Sequence, residues 1–240
     1  MLNKMNEFKH KGKDKKEFVK YIFNDISSSY DFLNHFLSGG VDILWRRKFI
    51  NSLGFSTKDK VLDVATGTGD VALTIKKKFK CEVIGLDLSA NMLEIARQKS
   101  KKNNFHDIDF IEGDAENLPF DDNTFDKLVI SYGFRNLGDF EKGLSEFYRV
   151  LKPNGKLGIL EFLQPKSSFA SKLFKLYFNN ILPRIASLFS NSKAYRYLPE
   201  SVENFFTSSE LKDLLLRSNF KEVHVKNLTF EITTIVNAKK

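Results

Sequence analysis

From about residue 60 onward, apolar residues fall into short blocks separated by longer stretches with helical spacing. Val61–Val64, Glu82–Leu86, Ile108–Ile111, Lys127–Ser131 and Leu157–Glu161 are rich in Val, Ile and Leu, as strands buried on both faces of a parallel sheet are. Between them, Val71–Phe79, Asn91–Lys101 and Phe140–Val150 carry apolar residues three and four apart, the spacing of amphipathic helices. This alternation predicts βαβ units, and right-handed crossovers restrict the order to a doubly wound α/β fold. A helix is predicted at Ser209–Arg217. The alternation of Glu222–Leu228 and Phe230–Val236 predicts a closing pair of strands, giving a mostly parallel sheet with an antiparallel closing strand.

The first block runs directly into Ala65-Thr66-Gly67-Thr68-Gly69-Asp70. A buried strand followed by a glycine turn that opens a helix is a cradle for a nucleotide cofactor, because Gly67 and Gly69 let the backbone turn tightly and approach a ligand. Asp70 is expected to cap the helix beginning at Val71. The spacing alone also satisfies a dinucleotide fingerprint, and charge separates the two cofactors. A pyrophosphate would sit at this helix N-terminus, where Asp70 already occupies the favourable field. S-adenosyl-L-methionine carries no phosphate, and Asp63 and Asp70 are compatible with its ammonium and sulfonium groups. Asp87, ending the second strand, lies where a carboxylate meets an adenosine ribose in either case. The third strand ends in Glu112-Gly113-Asp114-Ala115-Glu116-Asn117-Leu118-Pro119-Phe120, which resembles the adenine-binding loop of class I methyltransferases, with Asp114 accepting from the exocyclic amine and Ala115 offering its N–H.

Composition narrows the picture. With 240 residues, 42% hydrophobic and 24 Phe, one sizeable core is expected, dividing the chain into a basic arm at 1–20 and a single domain at 21–240 with a helical insertion at about 165–205. One cysteine, Cys81, allows no internal disulfide, the four histidines show no ligand spacing, and no metal site is expected, which fits a reducing cytoplasmic interior. No apolar run is long enough to cross a bilayer, and no signal segment opens the chain. The net charge is +8, with a lysine cluster in the first twenty residues, at Lys4, Lys9, Lys11, Lys13, Lys15, Lys16 and Lys20, relieved only by Glu7, Asp14 and Glu17. That run reads as a solvated arm or as a surface for acidic partners such as anionic lipid.

Beyond the cofactor loop, Tyr30-Asp-Phe-Leu-Asn34-His-Phe-Leu-Ser38-Gly-Gly with Trp45-Arg46-Arg47, Ser131-Tyr-Gly-Phe-Arg135-Asn136, Arg149-Val-Leu-Lys-Pro-Asn-Gly155 and Tyr195-Arg-Tyr-Leu-Pro-Glu-Ser201 resemble the signatures of the ubiquinone/menaquinone biosynthesis C-methyltransferases. The resemblance spans nearly everything after the basic arm. It implies a class I, Rossmann-like methyltransferase with Thr68, Asp87, Asp114, Ala115 and Ser131 as cofactor contacts, beside Asp63, Gly67 and Gly69 of the loop. It departs from the family at Val41-Asp42, where many members carry a His-Arg pair, and at the tail, which lacks a His seen in some. No catalytic histidine is therefore carried over at either place.

The resemblance implies methylation of a ring carbon of a reduced quinone, and the form of the entrance segment favours demethylmenaquinol, a prenylated naphthoquinol, over a benzoquinol of ubiquinone biosynthesis. Arg135, after the fourth strand, either stabilises the substrate phenolate or braces its loop by pairing with Asp139 or a carbonyl. Tyr30, Asn34 and Tyr195 are candidate ring contacts. The apolar stretch Leu173–Phe189, broken by Pro183 and flanked by Lys172, Lys175 and Arg184, is expected to form a lid for a prenyl tail, with a peripheral membrane contact and a homodimer both allowed. No nucleic-acid partner is expected, since the fourth strand lacks the Asp/Asn-Pro-Pro-aromatic turn of amino-methylating enzymes. The rival from another class is an NAD-dependent oxidoreductase, which binding of NADH would expose.

Overall fold

The computed structural model describes residues 12–27, 30, 31, 35, 38–164, 172, 176, 197 and 200–240. Seven strands form one sheet in the order β3-β2-β1-β4-β5-β7-β6: β1 Lys60–Val64, β2 Glu82–Asp87, β3 Ile108–Glu112, β4 Phe125–Ser131, β5 Leu151–Glu161, β6 Lys221–Leu228 and β7 Thr233–Lys239. The first five run parallel, and β7 is antiparallel to both β5 and β6. The expected class I architecture is thus observed, with the strand order reversing beside β1, where a doubly wound sheet opens a crevice.

Alternate residues of each central strand feed two cores. Leu62, Val64, Leu128 and Ile130 pack with α5 (Phe140–Val150) and α6 (Ser208–Arg217). Val61, Val83 and Val129 pack with α2 (Val41–Ser52), α3 (Asp70–Phe79) and α4 (Ala90–Lys102). Fully burying one such aliphatic side chain contributes about 1.5–3 kcal/mol, so the two faces together hold the frame that positions the loops at its carboxyl edge.

Three expectations need correction. Residues 13–20 of the supposed basic arm are helix: α1 spans Lys13–Ile26 and packs Val19, Ile22 and Ile26 against Met92 and Tyr197. Asp70 is the first residue of α3 rather than its cap, the N-cap being Gly69 in the left-handed conformation. The last strand begins at Thr233, not Phe230, because Thr229, Phe230 and Glu231 all take positive φ and form a tight turn before it. The insertion at 165–205 lies largely outside the described residues.

Candidate active site

A cleft at the carboxyl edge of β1–β4 is walled by the loops after these strands and by Lys16, Val19 and Phe23 of α1. It brings together Gly67, Asp87, Asp114, Ala115 and Ser131, five of the eight residues expected to hold the cofactor, and Tyr30 also lines it. The three others stand behind it. Asp63, buried under the glycine loop, accepts from the Thr66 hydroxyl at 2.7 Å and the Ala72 N–H at 3.0 Å. Thr68, buried, donates to Asp31 and accepts from Lys99. Gly69 takes φ +83°, and a Cβ there would lie 3.0 Å from the Ala96 methyl, so both backbone and packing require glycine.

Asp87 Oδ2 accepts from the Gly67 N–H at 2.8 Å and Oδ1 from the Ser89 N–H at 2.9 Å, tying the glycine loop to the end of β2. Burial pushes its carboxyl above the usual range, against those backbone hydrogen bonds. Asp63 is pushed up to about 7 by burial, with Thr66 and Ala72 working in the opposite sense.

Polar atoms left without partners suit S-adenosylmethionine. Ser131 Oγ lines the cleft, is buried, and has no hydrogen-bond partner; Asp63 Oδ1 is likewise buried and unpaired. A buried polar atom without a partner costs about 1–3 kcal/mol, which a polar ligand reaching Ser131 would recover. The charge at the N-terminus of α3 also fits. Asp70 there pairs with Lys99 and, at 3.4 Å, with Arg46, so a pyrophosphate would meet a carboxylate at the helix end. The residues present therefore suit a phosphate-free nucleoside cofactor.

Arg135 lies in a 3₁₀ turn, Phe134–Asn136, and is only 6% exposed. Its Nη1 donates to Glu161 Oε1 and to the Tyr132 carbonyl, both at 2.6 Å, and its Nε to Ser201 at 3.3 Å. Glu161 Oε2 also accepts from the Arg135 N–H at 3.1 Å. Arg135 thus braces its loop through a carbonyl, one of the two expected partners, and through Glu161 in place of Asp139, which caps α5 through the Lys142 N–H at 3.0 Å. Arg135 faces a second cavity, with Lys15, Phe140, Ser201 and Phe205, on the other side of its loop. Asn34 and Tyr195 lie outside the described residues, while neighbouring Tyr197 donates to Asn136 Oδ1 at 3.0 Å.

Two features went unread in the sequence. Lys16 on α1 pairs with Asp114 at 2.7 Å and Glu116 at 2.6 Å. A network of Asp31, Thr68, Lys99, Asp70, Arg46 and Asp42 clamps the entrance segment onto the glycine loop. Only the Asp42–Arg46 pair, four apart on α2, carries a local signal.

Comparison with known proteins agrees with this geometry. The profile of the ubiE/COQ5 methyltransferase family matches residues 9–240. A demethylmenaquinone methyltransferase of Chlorobaculum tepidum is 41% identical over 92% of each chain. One of Thermus thermophilus is 42% identical over 89% of this chain and 97% of its own. A ubiquinone/menaquinone biosynthesis C-methyltransferase UbiE of Geobacter sulfurreducens is 41% identical over 95% and 90%. Among solved structures, a SAM-dependent methyltransferase from Aquifex aeolicus superposes with TM-score 0.61 at 21% identity, over 81% of this chain and 88% of its own. The [4+2]-cyclase SpnF superposes with TM-score 0.69 at 16% identity, over 92% and 94%. A cyclase on the same frame means that the fold leaves the chemistry open, and the sequence relatives decide it. With a family match reaching over nearly its whole length, this chain belongs to the ubiE/COQ5 methyltransferase family.

Proposed function

We propose that this protein transfers the methyl group of S-adenosylmethionine to a ring carbon of demethylmenaquinol, completing the ring of a menaquinol. The observation that carries the reading is the 41–42% identity to relatives named for that activity, along nearly their full lengths. The cleft supports it independently, through Asp87 and Asp114 at the ends of adjacent strands, the unpaired Ser131 hydroxyl, and a helix start that disfavours phosphate.

S-adenosylmethionine supplies a methyl already activated by its sulfonium, so the protein's task is placement. Asp87 and Asp114 would orient the nucleoside, and Tyr30, together with Asn34 and Tyr195, would hold the ring. Correct alignment of two bound reactants contributes about 7–11 kcal/mol. Arg135, held by Glu161, the Tyr132 carbonyl and Ser201 behind the cleft wall, would act on the reaction through the loop that it braces. Since Glu161 already balances its charge, Arg135 offers the cleft a rigid wall at residues 132–136 and not a net cation.

A peripheral membrane contact belongs to the same proposal. Ile43 and Leu44 are exposed on α2, Phe230 is exposed at the turn before β7, and Arg47 and Lys48 are exposed beside them on α2. Trp45 donates to Thr229 at 2.8 Å, so the helix start and the turn are neighbours. That tip lies at the edge of the sheet where the cleft opens, since Thr234 pairs with Glu161.

The test is incubation with methyl-labelled S-adenosylmethionine and either reduced demethylmenaquinone or a reduced, demethylated ubiquinone precursor. Label entering only the naphthoquinol is the expected result. Label entering only the benzoquinol would overturn the substrate, and binding of NADH in place of S-adenosylmethionine would overturn the cofactor.

A further inference from the structure

The carboxylate expected to receive adenine does not stand alone. Asp114 Oδ1 accepts from the Glu116 N–H at 2.9 Å, and its Oδ2 lies 2.7 Å from Lys16 Nζ. Glu116 is 3% exposed: its Oε1 accepts from the N–H groups of Gly138 and Asp139, at 2.7 and 3.1 Å, and its Oε2 meets the same lysine at 2.6 Å. One ammonium therefore serves two carboxylates. Burial works against the charge of Lys16, and the hydrogen bonds to Asp114 and Glu116 more than offset it. The helix that brings it is fixed by the preceding residue, Lys15, whose Nζ donates to the Arg135 and Leu137 carbonyls at 2.7 and 2.8 Å.

Without that ammonium, two neighbouring carboxylates would face each other unscreened, and their repulsion would turn the less buried one, Asp114, out of its place. Turned away, Asp114 would no longer present an acceptor oxygen to the adenine amine, which can only donate there. The other charged groups facing this corner do not replace Lys16. Lys20 is 2.8 Å from Glu112, Lys15 is turned to carbonyls, and Asp87 across the cleft adds negative charge.

We propose that Lys16 is a positioning residue for the cofactor: by bridging Glu116 and Asp114 it holds the Asp114 carboxylate in place as the acceptor that selects an adenine over a base lacking the exocyclic amine. This rests on the S-adenosylmethionine reading above. α1 is then part of the binding site, and its lysines are more than a solvated charge run.

Isothermal titration with S-adenosylhomocysteine and with its inosine counterpart, in which a carbonyl replaces the amine, tests the assignment. The wild-type protein should favour the adenine form by tenfold or more, about the worth of one charged hydrogen bond. Lys16→Met should lose most of that preference by weakening the adenine form, with thermal unfolding checking that α1 stays docked. Lys16→Met combined with Glu116→Gln removes both charges, and should restore the preference to within about threefold of wild type. A Lys16→Met protein that keeps its preference, or a double variant no better than the single, overturns the proposal. If the wild-type protein binds neither ligand, the cofactor reading itself fails.

Discussion

The loops after β1 and β4 face each other across the cleft, and each rests on a buried carboxylate. Under the first, Asp63 accepts from a hydroxyl and a backbone N–H on one oxygen only, and no cation is bonded to it among the described residues. Under the second, Glu161 is fully buried and holds a guanidinium, the backbone N–H of Arg135 and that of Phe162. The first arrangement is made within a stretch of ten residues and is set largely by glycine geometry. The second joins residues 26 apart, and an ion pair does the holding. The same task of fixing a loop at the carboxyl edge of a strand is thus met once by local backbone chemistry and once by long-range electrostatics.

Breaking the ion pair should give the largest effect. Arg135→Met leaves Glu161 buried without its counter-charge, which costs about 3–5 kcal/mol. Urea unfolding should show the loss, and methyl transfer should fall with it. Arg135→Met with Glu161→Leu should be less destabilised than Arg135→Met alone, because no unpaired charge remains. A double variant as unstable as the sum of its singles would mean that the two residues do not work as a pair.

The contrast also explains what could be read from the chain. Asp63, Gly67, Gly69 and Asp87 were legible because a strand, a glycine turn and the end of the next strand follow one another at fixed spacing. Glu161 was visible only as the end of a strand, and nothing local marks it as the partner of Arg135. Lys15 and Lys16 were hidden more deeply. A run of lysines reads as solvated, yet Lys16 finds its carboxylates about a hundred residues away, and that pairing exists only after the sheet has formed. The start of β7 was misplaced for another reason. Three consecutive non-glycine residues at positive φ interrupt an otherwise regular alternation, and side-chain pattern carries no sign of them.

The carboxylate without a bonded cation should appear in the pH dependence of stability. Asp63 has its folded pKa raised to about 7, mainly by burial, from an ordinary value of 3.8. Between those values the folded state binds the proton more tightly than the unfolded state, so stability is greatest below pH 4 on this account and declines as pH rises towards 7. Each pH step of one between the two values weakens the fold by about 1.4 kcal/mol, so the whole decline is on the order of a few kcal/mol. Asp63→Asn should remove that decline while the rest of the profile stays, as denaturation followed from roughly pH 4 to 8 would register. An unchanged slope in the variant would assign the titration to another group.

The smallest effects concern where the two loops touch. Ala65 and Tyr132, each the first residue beyond its strand, take φ of 52° and 57°, a conformation that costs a residue with a Cβ about 1–2 kcal/mol. Gly133 backs onto Ala65 so closely that a Cβ on it would lie 2.4 Å from the Ala65 methyl. Gly133→Ala should therefore cost about 1–3 kcal/mol by overpacking. Ala65→Gly relieves its own strain but adds freedom to the unfolded chain, at roughly 0.4–1 kcal/mol, so its net effect should lie near zero. Combining them removes the clash, and the double variant should recover most of what Gly133→Ala loses. Additive losses would mean that the loops keep their shapes independently, each on its own carboxylate, and that their contact is incidental to the cleft between them.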